Sequence, residues 1–163
     1  MRKILIINTG GTFNKSYDPL KGALFVDTTS KSLENIASKW LCEFEILNII
    51  GKDSLDITTH DRMELLVTIS HTHHEHIIII HGTDTMHITA EYLEDGELEK
   101  AIVLTGAMVP YSIDPVEATA NLCSAYGYLN AVKQEGIYIA MNGVIDEHTQ
   151  IKKDRKLGNF IHL

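Results

Sequence analysis

Threonine follows glycine at the end of two apolar runs in this chain. Ile4-Leu5-Ile6-Ile7-Asn8 leads into Thr9-Gly10-Gly11-Thr12, and Ile77-Ile78-Ile79-Ile80 leads into His81-Gly82-Thr83-Asp84. A β-favouring run that ends in glycine and a hydroxyl describes the carboxyl end of a buried parallel strand, where open α/β sheets place their ligands. Glycine lets backbone N–H groups approach a ligand with no Cβ in the way. Thr12 therefore offers a hydroxyl to one crevice, and Thr83 offers a second hydroxyl beside the Asp84 carboxylate. Thr83-Asp84 reads equally as a helix cap. A third turn, Thr105-Gly106-Ala107-Met108, could present a backbone carbonyl to a substrate amide, although sheet–helix packing explains Gly-Ala just as well. Phosphate binding is a weak reading of these glycines, because neither the Walker lysine nor a G-x-G-x-x-G series is present.

The elements that position these turns alternate. Strands are predicted at Lys3–Asn8, Phe44–Ile50, His76–Ile80, Ala101–Leu104 and Ile137–Met141. Helices are predicted at Thr29–Lys39, Thr59–His71, Thr85–Leu93 and Pro115–Val132. Short apolar runs between amphipathic segments indicate βαβ units. Right-handed crossovers then put helices on both faces. The fold class is α/β: a doubly wound, mostly parallel sheet, a flavodoxin-like three-layer sandwich with a C-terminal β-hairpin-like tail. Thr58 and Asp61 have capping-box spacing, and Asp114-Pro115 marks a helix start. Residues 14–28 form a long connection of the kind that often serves as a lid. The tail carries short β-like pieces, Val144-Ile145 and Phe160-Ile161, around the basic run Lys152-Lys153-Asp154-Arg155-Lys156.

The chain has 163 residues, 44% hydrophobic and 22% charged, which suits a single domain spanning 1–163. A net charge of -8 argues against nucleic acid as a partner. No run is long enough for a membrane span, so a cytoplasmic protein without membrane association is expected. Cys42 and Cys123 read as buried reduced thiols. The final helix 115–132 keeps Val116, Ala120, Cys123, Tyr126-Gly127 and Asn130-Ala131 on one face, which suggests self-association as a homodimer or homotetramer. His71, His73, His74 and His76 crowd one helix-to-strand connection with Glu75. No closed ligand set is visible there, so a surface or interface cluster is favoured over a metal site. No metal or cofactor is expected.

The motifs Asn8-Thr9-Gly10-Gly11-Thr12-Phe13, His81-Gly82-Thr83-Asp84-Thr85-Met86 and Val103-Leu104-Thr105-Gly106-Ala107-Met108, in this order at strand ends, resemble the L-asparaginase/glutaminase family of the bacterial amidohydrolase type. The resemblance covers the N-terminal, catalytic domain of that family, without its smaller C-terminal domain. It implies that Thr12 is the nucleophile, that Thr83 and Asp84 belong to a second triad, and that Lys153 completes it, with Lys152 as the fallback. Tyr17 matches the lid tyrosine, although it lies closer to Thr12 than in long-chain relatives. Gly11, Ser54, Asp56, Gly82, Asp84 and Ala107 fall at substrate-binding positions. Leu55 stands where long-chain enzymes often carry a polar residue. The implied reaction is hydrolysis of L-asparagine to L-aspartate and ammonia through an acyl-enzyme. Glutamine, another small amide, or a non-catalytic amino-acid sensor are the alternatives.

Overall fold

Ile4 and Ile6 pack on one face of the central sheet, and Leu5 and Ile7 pack on the other. Their strand, β1 (Ile4–Gly10), is buried along its whole length. That explains an unbroken apolar run in place of alternation. The computed structural model describes residues 3–163. After β1 come a hairpin of β2 (Lys15–Asp18) and β3 (Ala23–Val26), then α1 (Lys31–Lys39), β4 (Glu45–Lys52), α2 (Thr59–His71), β5 (His76–Ile80), α3 (Met86–Glu94) and β6 (Ala101–Thr105). The chain continues through α4 (Pro115–Ala131), β7 (Gly136–Met141), β8 (Val144–Glu147), β9 (Ile151–Asp154) and β10 (Asn159–His162).

The main sheet runs β4-β1-β5-β6-β7-β8. Its first five strands are parallel, and β8 returns antiparallel to β7. Ignoring the hairpin, the parallel order is 2-1-3-4-5, the flavodoxin-like winding. Leu33 and Ile36 of α1 and Ala118, Leu122, Ala125 and Leu129 of α4 fill one face. Leu65 and Ile69 of α2 and Met86, Ala90 and Leu93 of α3 fill the other. The predicted caps are present: Thr58 and Asp61 bond reciprocally, and the Asp114 carboxylate accepts from the Val116 N–H. The outward face of α4 carries the small-residue stripe, with Val116 exposed.

The structure changes three expectations. The 14–28 connection is an antiparallel hairpin that pairs Tyr17 with Leu24. Asp18 holds its turn by accepting from the Leu20 N–H. Cys123 lies exposed on the outer side of α4, and Cys42 is only half-buried. The histidine segment is partly internal: His74 is buried, with Nε2 2.9 Å from Glu45 Oε2. The Lys100 ammonium donates to the Thr72 and His74 carbonyls beside it. That segment thus ties α2, β5 and β4 together at the amino edge of the sheet.

Two contacts set the opposite, carboxyl edge. A Cβ added to Gly82 would stand 2.6 Å from Ser54 Cβ and 3.0 Å from its backbone nitrogen. A Cβ on Gly11 would run into the Gly82 backbone. The turns after β1, β4 and β5 thus touch through glycine. Gly82→Ala is expected to destabilise the fold by about 1–3 kcal/mol through overpacking. A thermal melt showing an unchanged midpoint would contradict this close approach.

Candidate active site

The turn after β1 is held by amides. Gly10 and Gly11 have φ of 110° and 74°, a region that favours glycine. The Gly11 N–H donates to the Lys52 carbonyl at 2.9 Å. Asn14 Nδ2 donates to the Gly10 carbonyl at 2.8 Å and to Asn8 Oδ1 at 2.7 Å. Asn8 Nδ2 donates to Asn48 Oδ1 at 3.0 Å, across the β1–β4 pairing that sets the two asparagines side by side. The buried amides of Asn8 and Asn14 satisfy one another and reach the exposed Asn48, and the turn that carries Thr12 is fixed to both strands.

A second chain of hydrogen bonds fixes the turn after β5. His81 is buried, with Nδ1 2.8 Å from the Gly82 carbonyl and Nε2 2.8 Å from Thr89 Oγ1. A carbonyl only accepts, so Nδ1 carries the proton and Nε2 accepts from the Thr89 hydroxyl. Thr89 in turn accepts from Arg62 Nε at 3.0 Å. Each group in this relay is satisfied only while the imidazole is neutral. Burial pushes the His81 pKa down to about 4; the Gly82 carbonyl opposes the shift and Arg62 adds to it.

The third component arrives from the C-terminal hairpin. Ile151 and Phe160 anchor β9 and β10 on the α2/α3 face of the sheet. Burying side chains of this size is worth roughly 1.5–3 kcal/mol each. Successive strand residues face opposite ways. Lys152 is therefore exposed, and Lys153 turns inward. Lys153 Nζ lies 2.9 Å from Thr83 Oγ1 and 2.8 Å from Asp84 Oδ1. Arg155 also reaches Asp84 Oδ1, at 3.1 Å. The Lys153 hydrogen bond is the largest influence on Asp84; it holds the carboxyl below its usual range against partial burial, with Arg155 assisting.

Thr12, Ser54, Asp56, Thr83 and Asp84 line one cleft of about 440 Å³, together with Lys15, Asp53, Leu55 and the β3 residues Leu24, Phe25 and Val26. Lys15 and Asp53 form an ion pair of 2.6 Å across it. Burial raises the Asp53 pKa, but the Lys15 ammonium and the Leu55 N–H outweigh it and hold the carboxyl low. Thr85 Oγ1 donates to the Ser54 carbonyl at 2.7 Å and fixes the Ser54 turn to the start of α3. The Thr12 and Thr83 side chains and the Asp84 carboxylate thus share a crevice at the carboxyl ends of parallel strands, with the Lys153 ammonium bonded to the Thr83–Asp84 pair. Such a set suits nucleophilic attack by a hydroxyl and polarisation of a carbonyl.

The asparaginase N-terminal family model matches residues 3–157. The chain belongs to the asparaginase family. The match falls on that family's N-terminal domain. The chain is 31% identical over 157 residues to a glutamyl-tRNA(Gln) amidotransferase subunit of Methanococcus vannielii, covering 90% of this chain and 36% of that protein. It is 30% identical over 162 residues to L-asparaginase of Thermococcus kodakarensis, covering 96% of this chain and 49% of that one. The solved structure of the thermostable L-asparaginase from Thermococcus kodakarensis superposes with a TM-score of 0.82 at 24% identity, over 100% of this chain and 51% of its own. The asparaginase-family chain therefore spans between about a third and about half of these relatives.

Within this asparaginase-family domain, Thr12, Thr83, Asp84, Ser54 and Asp56 share the cleft, and Lys153 rather than Lys152 reaches the Thr83–Asp84 pair. Gly11 and Gly82 form the touching turns beneath it. The Gly11 N–H is already committed to Lys52, so this N–H is not a donor facing the cleft. Tyr17 lies on the exposed hairpin, outside the cleft lining. Ala107 packs its methyl in the α4 core, and the neighbouring Gly106 carbonyl accepts from Asn121 Nδ2. Lys15, Arg155, the three asparagines and the Arg62–Thr89–His81 relay went unread in the sequence. Asn8 at the end of a fully buried apolar strand run is the signal that points to the first network, since a buried amide needs partners.

No helix among the described residues is long and apolar enough to cross a membrane, and no cluster of three or more metal-ligating side chains occurs among them.

The relay generates a pH prediction. His81 takes up a proton near pH 6.5 in an unfolded chain and near pH 4 in the folded one. The folded state holds fewer protons across that window. Stability is therefore full above pH 6.5 and declines as pH falls to about 4, by on the order of 3 kcal/mol. Urea midpoints at pH 7 and pH 4.5 measure the decline. The His81→Asn variant, less stable overall, should show a shallower one; equal declines in the two proteins would contradict the assignment.

Proposed function

We propose that this domain hydrolyses a side-chain amide of the asparagine type through an acyl-enzyme on Thr12. One observation carries the reading: Lys153 lies within 2.9 Å of both Thr83 Oγ1 and Asp84 Oδ1, and Thr83 and Asp84 line the same cleft as Thr12. An amide is a poor electrophile and a threonine hydroxyl a poor nucleophile, so the site must supply proton transfer and oxyanion stabilisation.

In this reading Thr12 Oγ1 attacks the amide carbon. The N–H groups of Thr12 and Thr83 are the proposed donors to the developing oxyanion, since the Gly11 N–H is committed to Lys52. The hydroxyl proton passes to the leaving nitrogen, the C–N bond breaks, and ammonia departs. Water then attacks the ester, returns a proton to Thr12 and frees the carboxylic acid. Lys153, paired with Asp84, polarises Thr83 beside the reacting groups. Ser54 and Asp56 bind the rest of the substrate. Tyr17 has a role only if the hairpin moves toward Thr12. The cytoplasm is the proposed compartment, where the free thiols of Cys42 and Cys123 would persist.

A second substrate is favoured by the similarity to an amidotransferase: the amide of glutamine. Ammonia release from asparagine and glutamine separates the two. Thr12→Ala is expected to lower ammonia release by roughly 10³-fold or more and Lys153→Met by roughly 10²-fold, with unchanged far-UV circular dichroism. Full activity in Thr12→Ala would overturn the nucleophile assignment. A thermal shift with aspartate but no turnover of any amide by the wild type would favour a sensor.

A further inference from the structure

Lys153 comes from a strand pair outside the main sheet. β9 and β10 form a two-stranded sheet of their own. Such a pair is marginal without support. Ile151 and Phe160 bury it against the α2/α3 face. Apolar burial is non-directional, so it fixes depth better than tilt or register. Fixing those takes a directional contact.

Asn142 makes one. β7 and β8 join through Asn142-Gly143, with φ of 52° and 83°. Asn-Gly suits a two-residue hairpin turn of this kind. The turn accounts for the backbone of Asn142 and leaves its side chain unexplained. Asn142 Oδ1 accepts from the Phe160 N–H at 3.1 Å, and Nδ2 donates to Glu117 Oε1 at 3.4 Å. An N–H only donates and a carboxylate only accepts, so these two partners fix which way the carboxamide faces. The anchor behind it is firm. The Asn142 N–H donates to Oδ1 of the buried Asn121 at 2.9 Å, and Asn121 Nδ2 donates to the Gly106 carbonyl at 2.9 Å. Glu117 accepts from the Met108 and Val109 N–H groups. Asn142 is thus tied to α4 and to the turn after β6.

Phe160 is the cross-strand partner of Lys153. Its N–H goes to Asn142, so the two residues form a non-hydrogen-bonded pair, in which opposed side chains on one face stand closest. The Leu163 N–H, further along β10, donates to the Gln150 carbonyl at 2.9 Å, as the alternation of an antiparallel ladder requires. His162 and Asp146 also connect the hairpin to β8, at 3.5 Å, but both side chains are about half exposed. An exposed pair of this kind contributes little.

We infer that Asn142 is a positioning residue for Lys153. Its carboxamide holds the Phe160 backbone, and Phe160 sets the place from which the Lys153 ammonium meets Thr83 and Asp84. The kinetic consequence rests on the amidohydrolase reading above; the placement of the ammonium does not.

The test uses Asn142→Gly, which keeps the left-handed turn and removes the acceptor. With far-UV circular dichroism unchanged, kcat for ammonia release should fall about tenfold or more, and KM should change less than about twofold. In the Lys153→Met background the same substitution should change kcat less than about twofold, because groups that act as a unit are not additive. A merely structural role would cost the same fraction in both backgrounds. That result, or a full wild-type kcat in Asn142→Gly, would overturn the inference. If the wild type hydrolyses no amide, the amidohydrolase reading fails on its own, and a crystal structure of Asn142→Gly decides the inference. Lys153 Nζ displaced from Thr83 and Asp84 by about 1 Å or more supports it, and an unmoved ammonium overturns it.

Discussion

A methyl group does not fit between the turns that follow β1, β4 and β5. Gly82 lies against Ser54, and Gly11 lies against Gly82. Everything else in the cleft depends on this approach. It brings Thr12, Ser54 and Thr83 to one crevice although they come from strands far apart in sequence. Close backbone packing of this kind is rigid, because interiors have few low-energy ways to yield. The asparagine cluster and the Arg62–Thr89–His81 relay hold the two threonine turns from behind. The floor of the site is therefore built from satisfied polar groups and glycine contacts.

The two edges of the sheet contrast. At the amino edge, His74 pairs with Glu45, and Lys100 holds the Thr72 and His74 carbonyls. Those groups complete one another and stabilise the fold. At the carboxyl edge, Lys153 comes from a hairpin about seventy residues beyond Thr83 and meets it in the cleft wall. Placing that ammonium requires the hairpin to dock through Ile151 and Phe160, so the site inherits its geometry from apolar burial some distance away. The β2–β3 hairpin on the other side makes no such anchor: Tyr17, Leu24 and Phe25 are all exposed.

Much of the parallel sheet was legible because its strands are apolar throughout. The run of four isoleucines ending β5 and the capping pair at Thr58 and Asp61 admit little else. The β2–β3 hairpin was not legible. Lys15-Ser16-Tyr17-Asp18 has no alternation of buried and exposed residues, since that strand lies half-buried with no core face. Thr12, Thr83 and Asp84 stood out by their place after strands. Lys153 was already preferred to Lys152 by its spacing, and the period-two geometry of β9 gives the physical reason that it turns inward. Lys15 and Arg155 gave no sign, because a lysine or arginine in a polar segment is ordinarily solvated. Their meaning comes from the carboxylates they meet, Asp53 and Asp84.

The central claim is that Thr12 carries the acyl group. Rapid acid quench of the enzyme during turnover of its best amide, followed by peptide mass spectrometry, tests it directly. The expected result is an acyl adduct on the peptide containing Thr12, lost when that residue is alanine. Ammonia release with no adduct at any time point, or an adduct on a different side chain, would contradict the account.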